Sequence, residues 1–135
     1  MTRIVPRMLY AAAATIFLFG GLAHAAVYFR KAGADIGTSS LKLFTQTELK
    51  ALWLCDSTTL SALAILFFYL AARPTSADRA VVSLIALVPA GTTFLLYAFL
   101  GAFYAAHLLL AATVMIAAAS FFQPDANRAL SPVAT

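Results

Sequence analysis

Three side chains that could bind a ligand or a metal ion interrupt the apolar stretches of this chain: His24, Asp56 and His107. Two imidazoles and one carboxylate are the ligand set of a non-haem iron(II) centre, and zinc accepts the same atoms. A pair of histidines can instead ligate haem. A carboxylate beside a histidine can also exchange protons when a ligand binds. These residue types therefore allow a divalent metal centre, a haem site or proton-linked ligand binding.

The three side chains lie at one expected depth. Each lies about 17 residues, or about 25 Å of helix at about 1.5 Å per residue, from a residue that marks the same membrane face. These boundary residues are Arg7 for His24, Arg73 for Asp56 and Pro124 for His107. We therefore expect His24, Asp56 and His107 to form one polar layer and to be the ligands if a metal is bound. The chain contains no HExxH or CxxC motif, so this expectation depends on inferred depth.

The amino-acid composition indicates which secondary-structure elements hold these three side chains. Hydrophobic residues make up 63% of the chain and charged residues 10%, against roughly 25% charged residues in soluble domains. We predict an all-α integral membrane protein: one domain over 1–135, folded as an antiparallel up-down four-helix bundle with short loops. The net charge of +4 is spread over short connections, so nucleic acid is not an expected partner.

Helix boundaries follow from charges, caps and helix-breaking residues. We predict helices over about 8–30, 46–72, 76–98 and 102–122, with a polar tail over 124–135. The stretches 45–48 and 75–78 fit a capping box and place the starts of the second and third helices. The uncharged stretch 80–123 is too long for one crossing, so we place a turn at Leu100 and Gly101, with Pro89 as a kink. A turn at Gly91 is the alternative, and it would move His107 to the middle of the membrane.

Helical spacing adds neighbours to each member of the layer, because residues three and four apart share a face. The predicted ligand-binding set is His24, Tyr28, Trp53, Asp56, Thr59, Thr93, Tyr97, Tyr104 and His107. Gly21 and Ala25 form a small-xxx-small pair, and we expect it to pack the first helix closely against the fourth. The alternative is that the layer only fixes helix register, as polar contacts between membrane helices commonly do.

Both termini of a four-helix bundle lie on one side of the membrane. Arg3 and Arg7 flank the first helix, so we predict a bacterial inner-membrane protein with cytoplasmic termini and the polar layer in the outer half of the bilayer. The same N-terminal segment also fits a secretory signal peptide with Ala23-His24-Ala25 at its cleavage site, and cleavage would remove His24.

These features lead to a prediction of function with two alternatives. We predict a non-catalytic accessory or ligand-binding component whose polar layer binds a small ligand or metal or fixes helix register. One alternative is a metal- or haem-dependent membrane oxidoreductase, and the other is a small proton-coupled transporter with Asp56 as the coupling carboxylate. The expected partners are the lipid bilayer and either another membrane protein or a second copy of the chain.

Overall fold

The computed structural model describes residues 4–74, 76 and 78–122. All regular secondary structure in this part of the chain is helical. It consists of α1 (Ile4–Val27), a π-helical segment (Tyr28–Ala32), α2 (Gly33–Gly37), α3 (Leu43–Ala72), α4 (Arg79–Leu100) and α5 (Tyr104–Phe122). Within the described residues, four helical units are long and apolar enough to cross a membrane: Ile4–Gly37, Leu43–Ala72, Arg79–Leu100 and Tyr104–Phe122. The all-α class and the four helices of membrane-spanning length are confirmed.

The first helical unit is longer than predicted. The polar stretch after Phe29 was expected to be a connection, but the π segment and α2 continue the helix to Gly37. Lys31 and Asp35 form an ion pair four residues apart on this extension, and such pairs stabilise helices. Polar composition therefore marks where the chain can leave the hydrocarbon, and the helix itself continues.

The predicted capping box at 45–48 is wrong. α3 begins at Leu43, and its N-cap residue Lys42 makes no side-chain cap bond. The Thr47 hydroxyl donates to the carbonyl of Leu43 at 3.0 Å, inside the helix. The Gln46 side-chain amide instead donates to the carbonyls of Ser39 and Leu41, at 3.0 Å each. These two bonds close the turn before α3.

The start of α4 also differs from the predicted pattern. Asp78 is the N-cap residue, and its carboxylate accepts a hydrogen bond from the backbone N–H of Ala80 at 3.2 Å. The acidic residue expected at the end of a capping box is thus the cap itself, a role that aspartate favours. Thr75, the hydroxyl of the predicted box, lies outside the described residues.

The turn between α4 and α5 lies at the predicted Leu100 and Gly101. α4 passes through Pro89 and Gly91 without interruption and ends at Leu100. Gly101 then has a φ of 70°, a left-handed conformation that glycine adopts without the steric cost of a Cβ. The alternative turn at Gly91 is therefore wrong.

The helices pack in the order α3, α1, α5, α4, with α1 in contact with both α3 and α5 and with α4 packed on α5. One buried apolar cluster draws on all four units: Tyr10, Ala13, Ala14, Phe17, Leu60, Leu63, Ala64, Phe67, Leu70, Val82, Ala86, Leu109, Ala112, Ile116 and Ala119. Burial on α1 ends at Gly21, burial on α3 begins at Ser57 and burial on α4 ends at Thr93. The candidate polar groups near these limits are therefore only partly covered by the fold.

Gly21 marks a close approach of α1 to α3. A Cβ at this position would lie 3.2 Å from the carbonyl oxygen of Ser57 and 3.0 Å from the hydroxyl of Ser61. The first helix does pack on the fourth long helix, α5, as expected, but the close contact at Gly21 is with α3. A small residue identifies a face that allows close packing, but it carries no information about which helix fills the space.

Candidate functional site

His24 and Trp53 form the centre of a polar cluster between α1 and α3. The indole N–H of Trp53 donates to the backbone carbonyl of His24 at 2.9 Å. The two rings are stacked, with centroids 4.5 Å apart and an angle of 15° between their planes. A partly buried tryptophan needs an acceptor for its N–H, and here that bond also holds the two rings in register.

The two ring nitrogens of His24 face different groups on α3. Nδ1 lies 3.0 Å from the hydroxyl oxygen of Ser57, and Nε2 lies 3.7 Å from a carboxylate oxygen of Asp56. Trp53, Asp56 and Ser57 are spaced three and four residues apart, so they share one side of α3. Close packing at Gly21, one turn before His24, brings the imidazole within reach of all three.

Ser57 can act as a hydrogen-bond donor or acceptor towards the His24 ring. Its hydroxyl can donate to Nδ1, or it can donate to the carbonyl of Trp53, 3.2 Å away, and accept from Nδ1–H. Rotation of a single hydroxyl therefore reverses the direction of the Ser57–His24 hydrogen bond.

Asp56 is only partly covered. Its side chain is 43% exposed, against 31% for His24, although both lie within helices of membrane-spanning length. Ionisable side chains inside membranes are costly and usually face a partner, a cavity or a pathway. A further ligand can therefore reach this carboxylate.

A pocket of about 360 Å³ adjoins the cluster. Its lining residues come from the end of α1, the π segment, α2 and α3: Val27, Lys31, Ala32, Asp35, Ile36 and Trp53. This volume is within the range of small-molecule sites, roughly 300–1,000 Å³. Trp53 belongs to both the pocket and the cluster, so a molecule in the pocket would contact a ring that is stacked on His24.

The π segment shapes one wall of this pocket. Lys31 and Ala32 lie within it, and π-helical turns are frequent at functional sites. The ring of Tyr28 packs over Gly33, where a Cβ would lie 3.2 Å from its Cζ and 3.1 Å from its carbonyl oxygen. Tyr28, a predicted ligand-binding residue, thus packs on its own helix and supports the local backbone shape.

His107 lies in a different pair of helices. Its Nδ1 is hydrogen-bonded to the hydroxyl of Tyr97, which joins α5 to α4, and the ring centroids are 5.4 Å apart. His24 and Asp56 are therefore brought together, whereas His107 pairs with Tyr97. Within residues 4–74, 76 and 78–122, no group of three or more His, Cys, Asp or Glu side chains could hold a metal ion.

The remaining predicted residues do not join the cluster. Thr59 donates to the carbonyl of Cys55 at 2.9 Å, and the buried Thr93 donates to that of Pro89 at 2.7 Å. Such bonds to the preceding turn are an ordinary way to satisfy a hydroxyl in a helix. Tyr104 is 70% exposed, and its ring contacts that of Phe103.

Sequence reasoning missed Ser57 and most of the pocket lining. Ser57 could have been found, because it follows Trp53 by four residues and so shares its face. The pocket residues Lys31, Asp35 and Ile36 were assigned to a loop, and only the helical extension brings them beside α3.

Comparisons of the chain with protein-family models, with curated proteins and with solved structures found no match. The structure itself defines a class: an all-helical protein with four helices of membrane-spanning length. Its distinctive feature is a polar cluster between α1 and α3 beside a small pocket. The function therefore has to be inferred from this site.

Proposed function

We propose that this chain is an integral membrane protein that binds a small amphipathic ligand in the pocket beside Trp53, as a ligand-binding or accessory component of the membrane. The ligand contacts the indole, and the His24–Asp56 pair responds through the stacked imidazole. One observation carries the proposal: Trp53 lines the pocket and is also stacked on and hydrogen-bonded to His24.

The proposed arrangement is an antiparallel up-down bundle in a bacterial inner membrane, with both termini on the cytoplasmic side. Support comes from the lengths of the four helical units and from Arg7 beside the first of them. Large apolar side chains such as Leu84, Phe94 and Val114 are more than half exposed, and lipid tails would cover them. In this orientation the cluster lies in the outer half of the bilayer.

Retention of a ligand by a variant with a filled pocket tests the proposal. Ala32 lines the pocket, whereas Ala34 is an exposed residue of α2 outside the lining. Ala32→Phe and Ala34→Phe therefore add the same side chain inside and outside the pocket. The variants and the native protein are purified in mild detergent, which removes bulk membrane lipid, and molecules retained by each are identified by mass spectrometry.

We expect a molecule that is retained by the native protein and by Ala34→Phe and is depleted at least about tenfold in Ala32→Phe, since a filled pocket removes most of the binding surface. Equal retention by all three proteins would contradict the proposal, and so would the absence of any retained molecule.

A proton-coupled transporter is a second candidate, and Asp56 favours it. A partly exposed carboxylate beside a histidine in a membrane-spanning helix is a typical coupling site. The Ser57 hydroxyl can also donate to or accept from the His24 ring. Proteoliposomes containing a trapped pH dye would show proton movement after addition of the retained molecule, and Asp56→Asn would abolish it if this candidate is correct.

A further inference from the structure

Lys50 places an uncompensated positive charge beside the pocket. It lies one turn before Trp53 on α3, and its Nζ would be 3.0 Å from a Cβ at Gly37, the last residue of α2. Across the described part of the chain it makes no hydrogen bond or ion pair. The C-terminal end of a helix favours a cation, which accounts for the position of the ammonium group.

A second cation near the pocket, Lys31, already has an acidic partner. Lys31 lines the pocket and pairs with Asp35, which lines it as well. Arg30 and Lys42 add further positive charge to the segment 28–50, and Glu48 is its only other acid. The segment therefore carries four basic and two acidic side chains, an excess that complements an anion.

The interior of the pocket is apolar. Val27, Ala32, Ile36 and the Trp53 ring provide hydrocarbon and aromatic surface. An occupant must therefore combine an apolar body with one anionic group that reaches Lys50.

The lengths of the helices place this end of the molecule at the level of lipid head groups. The unit Ile4–Gly37 has 34 residues and α3 has 30, or about 51 Å and 45 Å at about 1.5 Å per residue. Both exceed a hydrocarbon core of about 30 Å, so the 28–50 segment extends past it. Tryptophan is enriched at this boundary, where Trp53 would meet the upper part of a lipid chain.

We infer that the pocket binds a phospholipid with an anionic head group, with its phosphate at Lys50 and the start of an acyl chain against Val27, Ile36 and Trp53. An ammonium group binds phosphate as a point charge. The inference rests on the proposed ligand-binding function and specifies the class of ligand.

Brominated lipids test this inference, because bromine on an acyl chain quenches an indole that it touches and Trp53 is the one tryptophan of the chain. The full-length protein is placed in phosphatidylcholine nanodiscs, and brominated phosphatidylglycerol or brominated phosphatidylcholine replaces a rising fraction of the lipid. We expect half-maximal quenching at a clearly lower mole fraction of the anionic lipid. Lys50→Gln should reduce this preference about fivefold, the effect of one lysine near an anionic surface.

Lys42→Gln is the matched control. It removes the same charge from the N-cap residue of α3, eight residues before Lys50 and so about 12 Å further along the helix axis from Trp53 at about 1.5 Å per residue, and we expect it to leave most of the preference intact. Circular dichroism of each variant shows whether the helices are retained. An equal loss in both variants would overturn the inference, because it would show diffuse attraction by surface charge.

Three other outcomes overturn the inference, and the first two are distinguishable from failure of the proposed function. Equal quenching by the two lipids, with a different molecule retained in the pocket, overturns the lipid assignment and leaves ligand binding standing. Relief of quenching by soluble glycerol phosphate would show that a free phosphate compound is the ligand. Equal quenching together with no retained molecule would overturn both proposals.

Discussion

The α1–α3 pair surrounds His24 with three side chains of α3, whereas the α4–α5 pair gives His107 one hydrogen-bond partner among the described residues, Tyr97. His24 is partly buried and has groups beside both ring nitrogens. His107 is exposed. The two histidines were predicted to lie at one depth, and the structure gives them different surroundings.

Close packing of the helix backbones explains the difference between the surroundings of His24 and His107. At Gly21 the backbone of α1 approaches α3 so closely that a Cβ would meet the carbonyl of Ser57. His24, one turn later, is held against Trp53, and a pocket adjoins the same ring. In α4 the corresponding glycine, Gly91, has no atom within 4 Å of its Cβ position. A polar side chain in a membrane helix thus becomes part of a site where small residues bring a second helix to it.

The largest expected effect comes from breaking that close approach. Gly21→Val should destabilise the protein by about 1–3 kcal/mol, because added methyl groups overpack the α1–α3 contact. Gly20→Val and Gly91→Val are matched controls, since Gly20 has only the flexible end of Leu60 nearby, at 3.9 Å, and Gly91 has open space. The free energy of unfolding in mixed micelles measures the effect. A loss at Gly91 as large as that at Gly21 would remove the distinction between the two helix pairs.

The next prediction compares the hydrogen bonds of the two aromatic partners. Trp53→Phe removes the bond to the His24 carbonyl, and we expect a loss of about 1 kcal/mol in the free energy of unfolding. Tyr97→Phe removes the bond to the exposed His107 and should cost less than about 0.5 kcal/mol, as surface changes usually do. Unfolding in mixed micelles gives both values. The reverse order would mean that the α4–α5 pair is the better-ordered site.

The sequence predicted the class and the four long helices because apolar length and low charge are properties of the chain alone. The turn at Gly101 could be anticipated as well, because two crossings needed a break and glycine accepts a positive φ. The extension to Gly37 could not be anticipated from polarity. Lys31 and Asp35 look like loop residues in the sequence, and only their spacing of four indicates a helix.

The candidate site was only partly predictable for a related reason. Counting residues along a helix estimates height in the membrane, and the structure places His24 beside Asp56. Counting gives no direction around the bundle axis and no order of packing. Because α1 lies between α3 and α5, its His24 face could meet either neighbour, and in the structure the close approach at Gly21 is to α3. The position of His107 against Tyr97 followed from packing that the sequence pattern does not encode.

A smaller effect is expected in the fluorescence of Trp53. His24→Gln removes the imidazole stacked on the indole and should change the intensity and wavelength of its emission. His107→Gln is the matched control on the other helix pair and should leave the spectrum unchanged, because His107 contacts Tyr97. Emission spectra in the same nanodiscs measure both. An equal response to the two substitutions would indicate that the helix pairs are coupled more closely than their contacts imply.

The smallest expected effect is on bound metal and haem, where we expect no difference between the native protein and a His24→Ala, His107→Ala double variant. A three-ligand centre needs donor atoms directed at one point, and His24 and His107 face different helices. Elemental analysis and an absorption spectrum of protein in mild detergent measure this. Stoichiometric metal, or a Soret band, that disappears in the double variant would require the two histidines to meet in another arrangement of the helices. That result would favour the oxidoreductase alternative and would make the contrast between the two helix pairs a property of one conformation only.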